Sequence, residues 1–324
     1  MRGLALSAVV ACAAAASACG SGAGDRVSDR YPALGTLIEI TVVESDARER
    51  AAAFRDARAV FARATRDWHA WGGGELARVN AGTGLPSPEL ARLLAHAEAL
   101  AVRSERLFEP GVGALVEAWG FHAGERAPGP PPDEAALAAA RAAPVVIDLG
   151  AYAKGAAVAV AVAALRAAGI EHALVNAGGD LAALGDAGGR AWRVGVRDPH
   201  RNGVVATADL HDGEAVFTSG GYERGFDWNG IRYHHLLDPR TGRPARASAS
   251  FTVIHRDPAT ADAAVTALFI AGDDWPRIAT QLGIEYALRI TPDGAAEATP
   301  AMVARLTMRE GVALTEVPLA AAHR

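Results

Sequence analysis

A carboxylate and a hydroxyl, Asp262 and Thr266, stand four residues apart in a stretch otherwise made of Ala261, Ala263, Ala264, Val265, Ala267, Leu268 and Phe269. That spacing puts both on one face of a helix. A carboxylate on so apolar a helix needs a partner, because burying it unpaired costs several kcal/mol. Carboxylate and hydroxyl together are hard oxygen ligands, suited to Mg²⁺ and poor for softer metals. The bland alternative weighs the same on sequence alone: Asp262 at the surface, with Thr266 bonding back to its carbonyl.

Three further segments carry chemistry-bearing types. In Asp148-Leu149-Gly150-Ala151-Tyr152-Ala153-Lys154-Gly155, an acid and an ammonium flank small residues that let a ligand approach the backbone. Taken alone, a plain strand-to-helix turn, with Asp148 capping and Lys154 solvated, explains it better. In Val175-Asn176-Ala177-Gly178-Gly179-Asp180, glycines follow a strand and could offer amide N–H groups to a phosphate or a flavin edge, or form an ordinary turn. Thr218-Ser219-Gly220-Gly221-Tyr222-Glu223-Arg224 precedes Tyr233-His234-His235-Leu236-Leu237-Asp238-Pro239-Arg240-Thr241-Gly242, whose end suits a type I turn. A His held before that turn, with an ordinary pKa near ~6.5, is a sensible base for a hydroxyl nucleophile; one of two adjacent His is commonly surface decoration.

The elements that must position these residues follow from pattern. Leu37 to Val43 alternates as a strand, and Asp46 to His69 has helical spacing broken at Trp71-Gly72-Gly73-Gly74. Ser87 to Arg106 and Asp133 to Ala142 read as helices, with a Pro-rich loop from Pro128 to Pro132 before the second. Val145 to Asp148 reads as a short buried strand, Gly150 to Ala168 as a helix and His172 to Asn176 as a strand; strands dominate from Trp192 to Tyr233. Asp257-Pro258 opens a helix that stops at Gly272. No repeat or composition break divides the chain, so the expectation is one mixed α+β body, with a two-lobed division left open.

Composition excludes some classes. The 324 residues are 50% apolar and 21% charged, with a formal net charge of −5, so nothing provides the basic footprint of a nucleic-acid binder. No phosphate loop, dinucleotide-binding glycine motif, nucleophile elbow or zinc-protease motif is present. Met1-Arg2 followed by apolar and small residues to Ala18 reads as a signal peptide over 1–18. Ala16-Ser17-Ala18-Cys19-Gly20 is similar to a bacterial lipobox, with Cys19 lipidated and 19–28 a tether; a plain cleavage site is the alternative. The only other cysteine, Cys12, lies in the leader, so the exported chain holds no disulfide.

In this order and spacing the segments resemble the ApbE-type flavin transferases, the FAD:protein FMN transferases. The resemblance runs over the domain expected at 29–317, ahead of a tail at 318–324. It starts at Leu34-Gly35-Thr36 and takes in Glu75 to Asn80, Phe108 to Phe121, Asp148 to Gly155, Asn176 to Asp180, Thr218 to Gly220, His235 to Gly242, and Asp262 with Thr266. It implies Mg²⁺ held by Asp262, Thr266 and the carbonyl of Ala151. It implies FAD as substrate near Leu34, Trp71, Glu109, Pro110, Gly111, Asp148, Lys154 and Leu236, and His235 as general base. The partner it implies is an acceptor flavoprotein with a Thr or Ser in a flavinylation motif, AMP being released; the anchor would hold the enzyme on the outer side of a bacterial membrane. FAD hydrolysis to FMN and AMP, and FAD carriage without chemistry, are the alternatives. Several positions depart from the family pattern: Gly74 for Ser, Glu109 for Asp, Gly111 for Thr, Ala159 for Asp, and Val265 where some members are acidic.

Overall fold

The computed structural model describes residues 25–43, 45–123 and 128–321. Cys19 and the leader over 1–18 lie outside the described residues. Strands β1 (Arg26–Ala33) and β2 (Thr36–Val43) form an antiparallel hairpin. Its two-residue turn places Leu34 at φ 49° and Gly35 at φ 71°, as the right-handed twist of a hairpin asks. The residues 26–28 expected in the tether therefore belong to β1, paired with Thr41 to Val43; alternation beginning at Val27 is too short to separate from a polar linker by sequence.

Helix α1 (Ala47–Asp67) is capped by Asp46, whose carboxylate accepts from the Arg48 and Glu49 amides. After it come α2 (Glu75–Asn80), α3 (Pro88–Arg103), α4 (Gly113–Ala118) and α5 (Glu134–Ala142). The buried strand expected over Val145 to Asp148 does not form: Val146 makes a single bridge to Val112, and Val145 is 73% exposed. β-branching there reflects a connector that leans on α4, with no neighbouring strand to extend it. Helix α6 (Ala153–Ala167) leads to β3 (Ala173–Ala177) and β4 (Asp180–Leu184).

Strands β5 (Trp192–Arg197), β6 (Val204–Leu210) and β7 (Ala215–Gly220) follow, then the hairpin β8 (Gly225–Trp228) and β9 (Ile231–His234) and the small pair β10 (Leu237–Asp238) and β11 (Arg243–Pro244). The chain continues through β12 (Ser250–His255), α7 (Pro258–Ala271), α8 (Trp275–Leu282), β13 (Tyr286–Ile290), β14 (Ala296–Ala298), α9 (Pro300–Val303), β15 (Leu306–Met308) and β16 (Leu314–Glu316).

Nine strands make the main sheet in the order β1-β2-β3-β4-β7-β12-β13-β14-β16. Every pairing in it is antiparallel except β14 with β16. Period-two alternation divides its side chains between two cores. Ile38, Ile40, Phe217 and Val253 face the larger core, shared with Phe61 of α1, Val158 of α6 and Leu268 of α7. Leu181, Val216, Ile254 and Leu288 face the other, shared with Trp192, Val194 and Leu210 of the three-stranded sheet β15-β6-β5. The result is helices, large sheet and small sheet in three layers, one α+β body. A satellite cluster of Leu115, Trp119, Phe121, Leu137, Phe226 and Leu237 ties α4 and α5 to the β8–β9 hairpin. The segment expected as a tail is docked at its start: Leu319 packs on the larger core and the Ala320 carbonyl accepts from Thr280 Oγ1 at 2.9 Å. Among the described residues no helix is long and apolar enough to cross a membrane.

Candidate functional site

Helix α7 runs through the interior. Asp257 caps it by accepting from the Ala259 and Thr260 amides, Pro258 fills the first turn, and Gly272 ends it at φ 62°. Asp262 and Thr266 are buried on it, with 4% and 8% of their surface exposed. The surface alternative for Asp262 therefore fails. Its Oδ2 accepts the Gly155 N–H at 2.8 Å, so the first turn of α6 is pinned to α7. A Cβ at Gly155 would collide with the Pro258 carbonyl and with Asp262 Cβ, which is why glycine stands here. Because Gly155 donates to Asp262, the regular helical donor to the Ala151 carbonyl is engaged elsewhere, and α6 begins only at Ala153.

Lys154 is half-buried and ion-paired, not free in solvent. Its ammonium contacts Asp180 directly and lies 3.6 Å from Asp262 Oδ1. Burial works against its charge, but the two carboxylates outweigh burial and hold it protonated. Burial, together with the charge of Asp262, pushes the Asp180 carboxyl up, against the pull of Lys154. Asp180 Oδ1 accepts the Thr218 N–H at 2.8 Å. Two hydroxyl pairs extend the polar cluster: Thr266 with Ser219 at 3.4 Å, and Thr218 with Thr252 at 3.0 Å.

The glycine turn has a different use from the one its composition suggests. Gly178 and Gly179, at φ 69° and 105°, close the β3–β4 hairpin. Their amides are already taken, Gly178 donating to the Leu37 carbonyl at 3.0 Å and Gly179 to Asn176 Oδ1 at 2.8 Å. They offer nothing to a phosphate. What the turn does is deliver Asp180 to Lys154.

Neither His of the pair is surface decoration. His234 is 7% exposed and packs edge-on against Phe269; its Nδ1 accepts the Leu236 N–H at 3.3 Å. Burial pushes it down to about 4. His235 is half-buried, and its Nδ1 lies 3.2 Å from the Arg224 carbonyl. A carbonyl only accepts, so Nδ1 carries the proton and Nε2 presents its lone pair. Burial, with the nearby Arg224 charge second, pushes the imidazole down to about 3 from its ordinary 6.5. It is therefore neutral and oriented across the physiological range.

The remaining residues expected around a dinucleotide fall into groups. Glu109, Pro110, Gly111 and Asp148 come together: Glu109 Oε1 accepts the Gly111 N–H at 2.7 Å, and the Asp148 N–H donates to the Pro110 carbonyl at 2.7 Å. Glu109 also pairs with Arg106 at 3.0 Å. Asp148 Oδ1 caps its own turn by accepting the Gly150 N–H at 2.6 Å. Leu236 is buried, and its carbonyl accepts the Ala245 N–H at 2.9 Å. Leu34 and Trp71 pack on the large core. Leu34 keeps a positive φ, uncommon for a residue with a side chain, and its amide donates to Thr65 Oγ1 at 3.0 Å. Trp71 pairs with the His122 ring at 5.2 Å. Sequence reasoning did not single out Asp180 or Ser219 as site residues; the signal for Asp180 was its place directly after a two-glycine turn.

The sheet and the helices that cover it bring together a Lys–Asp–Asp cluster, two hydroxyl pairs and an imidazole whose Nδ1 is tied to a backbone carbonyl. Residues 34 to 288 match the model of the ApbE family, and the chain belongs to that family. The FAD:protein FMN transferase of Rhodobacter capsulatus is 46% identical over 312 aligned residues, covering 88% of this chain and 59% of that protein. That of Treponema pallidum (strain Nichols) is 36% identical over 223, covering 56% and 60%. The chain thus spans about three fifths of the length of these curated relatives. Among solved structures, the ApbE protein of Thermotoga maritima superposes with a TM-score of 0.79 at 31% identity, covering 88% of this chain and 100% of that one. The flavin transferase ApbE of Vibrio cholerae superposes with a TM-score of 0.75 at 26% identity, covering 87% and 99%.

Proposed function

We propose that the chain transfers the FMN half of FAD to a Thr or Ser hydroxyl of an acceptor flavoprotein and releases AMP. The observation that carries this is His235: a neutral imidazole, its Nδ1 tied to a backbone carbonyl and its Nε2 left as a base. The reaction breaks one P–O bond and forms another. The acceptor oxygen attacks the phosphorus on the riboflavin side, its proton passes to His235 Nε2, and the bridging oxygen leaves with AMP. Such transfers depend on positioning and charge compensation more than on covalent work by the protein. Lys154, kept protonated, supplies positive charge beside the pyrophosphate.

The donor set also fits Mg²⁺. Among the described residues no three His, Cys, Asp or Glu side chains gather to hold a metal, so a cation here depends on few carboxylates. Mg²⁺ takes one or two carboxylates with waters and substrate phosphates, and Asp262, the Thr266 hydroxyl and the Ala151 carbonyl supply hard oxygens of that kind. When bound, the ion neutralises phosphate oxygens. FAD is assigned to Leu34, Trp71, Glu109 to Gly111, Asp148, Lys154 and Leu236. The sequence of residues 1–24 supports export and lipid anchoring through Cys19 to a bacterial membrane.

Nucleotide analysis after incubation with FAD, Mg²⁺ and an acceptor protein tests the assignment. AMP released without free FMN supports transfer. Free FMN matching AMP supports hydrolysis instead, and uncleaved bound FAD supports carriage; either removes the transferase reading.

A further inference from the structure

Three charged side chains from three elements meet in the interior: Lys154 of α6, Asp180 of β4 and Asp262 of α7. The two carboxylates expose 6% and 5% of their side chains, so neither can be compensated by water. Asp180 is anchored independently of Lys154, because its Oδ1 accepts the Thr218 N–H at 2.8 Å. Asp262 has one oxygen, Oδ2, committed to the Gly155 N–H, and the other, Oδ1, facing Lys154 at 3.6 Å. The ammonium therefore has two carboxylates within reach and makes its direct contact with Asp180.

We infer that Asp180 is a positioning residue that holds the Lys154 ammonium off Asp262, leaving Asp262 Oδ1 open to a divalent cation. This rests on the metal assignment made above. Its physical basis is that a half-buried ammonium beside two buried carboxylates keeps one of them as its partner. With Asp180 present, the nearer partner is on β4, and Asp262 is shared only at longer range. Without it, Asp262 is the partner that remains, and the ammonium is drawn onto the one oxygen a cation could use. The β3–β4 turn and the Thr218 amide fix the Asp180 corner of the Lys154–Asp180–Asp262 triangle, and the Gly155 amide fixes the Asp262 corner.

Mg²⁺ binding measured by calorimetry without FAD tests this on the wild type, Asp180→Asn, Lys154→Met and the double variant. Asparagine keeps the acceptor for the Thr218 N–H, and thermal melting of each variant reports its fold. We expect Asp180→Asn to weaken Mg²⁺ binding at least tenfold, and the double variant to bind within threefold of Lys154→Met alone. Loss of the Asp180 charge by itself predicts the same weakening with or without Lys154. The inference is overturned if Asp180→Asn binds like the wild type, or if the double variant stays tenfold weaker than Lys154→Met. The comparison of the double variant with Lys154→Met can still overturn the inference if Asp180→Asn alone does not fold. A wild type that binds no Mg²⁺ removes the metal assignment itself, and this inference with it.

Discussion

The imidazole Nδ1 of His235 donates to the backbone carbonyl of Arg224 across 3.2 Å, and that one bond decides which nitrogen faces the ligand. Arg224 in turn donates from its guanidinium to the Phe121 carbonyl at 2.8 Å, so the base is tied through the β8–β9 hairpin to the satellite cluster around Trp119.

A base already neutral should leave a particular mark on the pH profile. Burial holds His235 down at about 3, so its lone pair is available at any pH well above that value. FMN transfer measured as kcat/KM is expected to show no falling acid limb near pH 6.5. A limb there in the wild type would contradict the assignment of His235 as a base already neutral.

The same burial sets a stability trend through His234. Its folded pKa, about 4, lies below the ordinary 6.5, so the unfolded chain takes up the proton first. Its contribution is complete above pH 6.5 and shrinks as pH falls toward 4, by roughly 3 kcal/mol over that window. Urea unfolding from pH 7 to pH 4 should therefore be less pH-dependent in His234→Phe than in the wild type. Equal slopes would mean that His234 is not held neutral.

Gly155 allows α6 to touch α7. Adding a Cβ drives the helices apart and breaks the Gly155–Asp262 hydrogen bond of 2.8 Å. Gly155→Ala is expected to cost about 1–3 kcal/mol and to weaken Mg²⁺ binding, read by denaturation and calorimetry on the same preparation. Unchanged stability would show that the approach is looser than described.

Removing Asp262 should separate binding of the cation from folding. Lys154 keeps Asp180 as a partner in Asp262→Ala, so the fold should persist while metal-dependent turnover falls at least 100-fold, on the order of 3 kcal/mol in the barrier. Normal turnover at low Mg²⁺ in this variant would exclude Asp262 as a ligand.

Much of this arrangement was legible in the sequence, and the rest was hidden for identifiable reasons. Helix α7 announced itself through Asp257, Pro258 and Gly272, and the i, i+4 spacing of Asp262 and Thr266 placed both on one face. The start of α3 at Ser87 was equally local, its hydroxyl accepting the Leu90 amide three residues on. What sequence could not show was who pairs with whom across the sheet. Ile38 lies opposite Ala177, a contact no short window contains. The partner of Lys154 lies 26 residues away and reaches it only because the β3–β4 turn folds back. The two readings of the glycine turn stay level in the sequence for the same reason: its amides are satisfied by Leu37 and Asn176, and only strand register reveals the first of these. Val145 to Val146 looked like a strand because β-branching is shared by strands and by exposed connectors.

The account stands or falls on His235. Wild type and His235→Ala should each be incubated with FAD, Mg²⁺ and an acceptor protein bearing a Thr in a flavinylation motif. FAD binding is measured separately, and intact mass spectrometry reads the acceptor. The account predicts equal FAD affinity, with the acceptor gaining the mass of FMN in the first case and staying unmodified in the second. An acceptor flavinylated as fast by His235→Ala as by the wild type would contradict it.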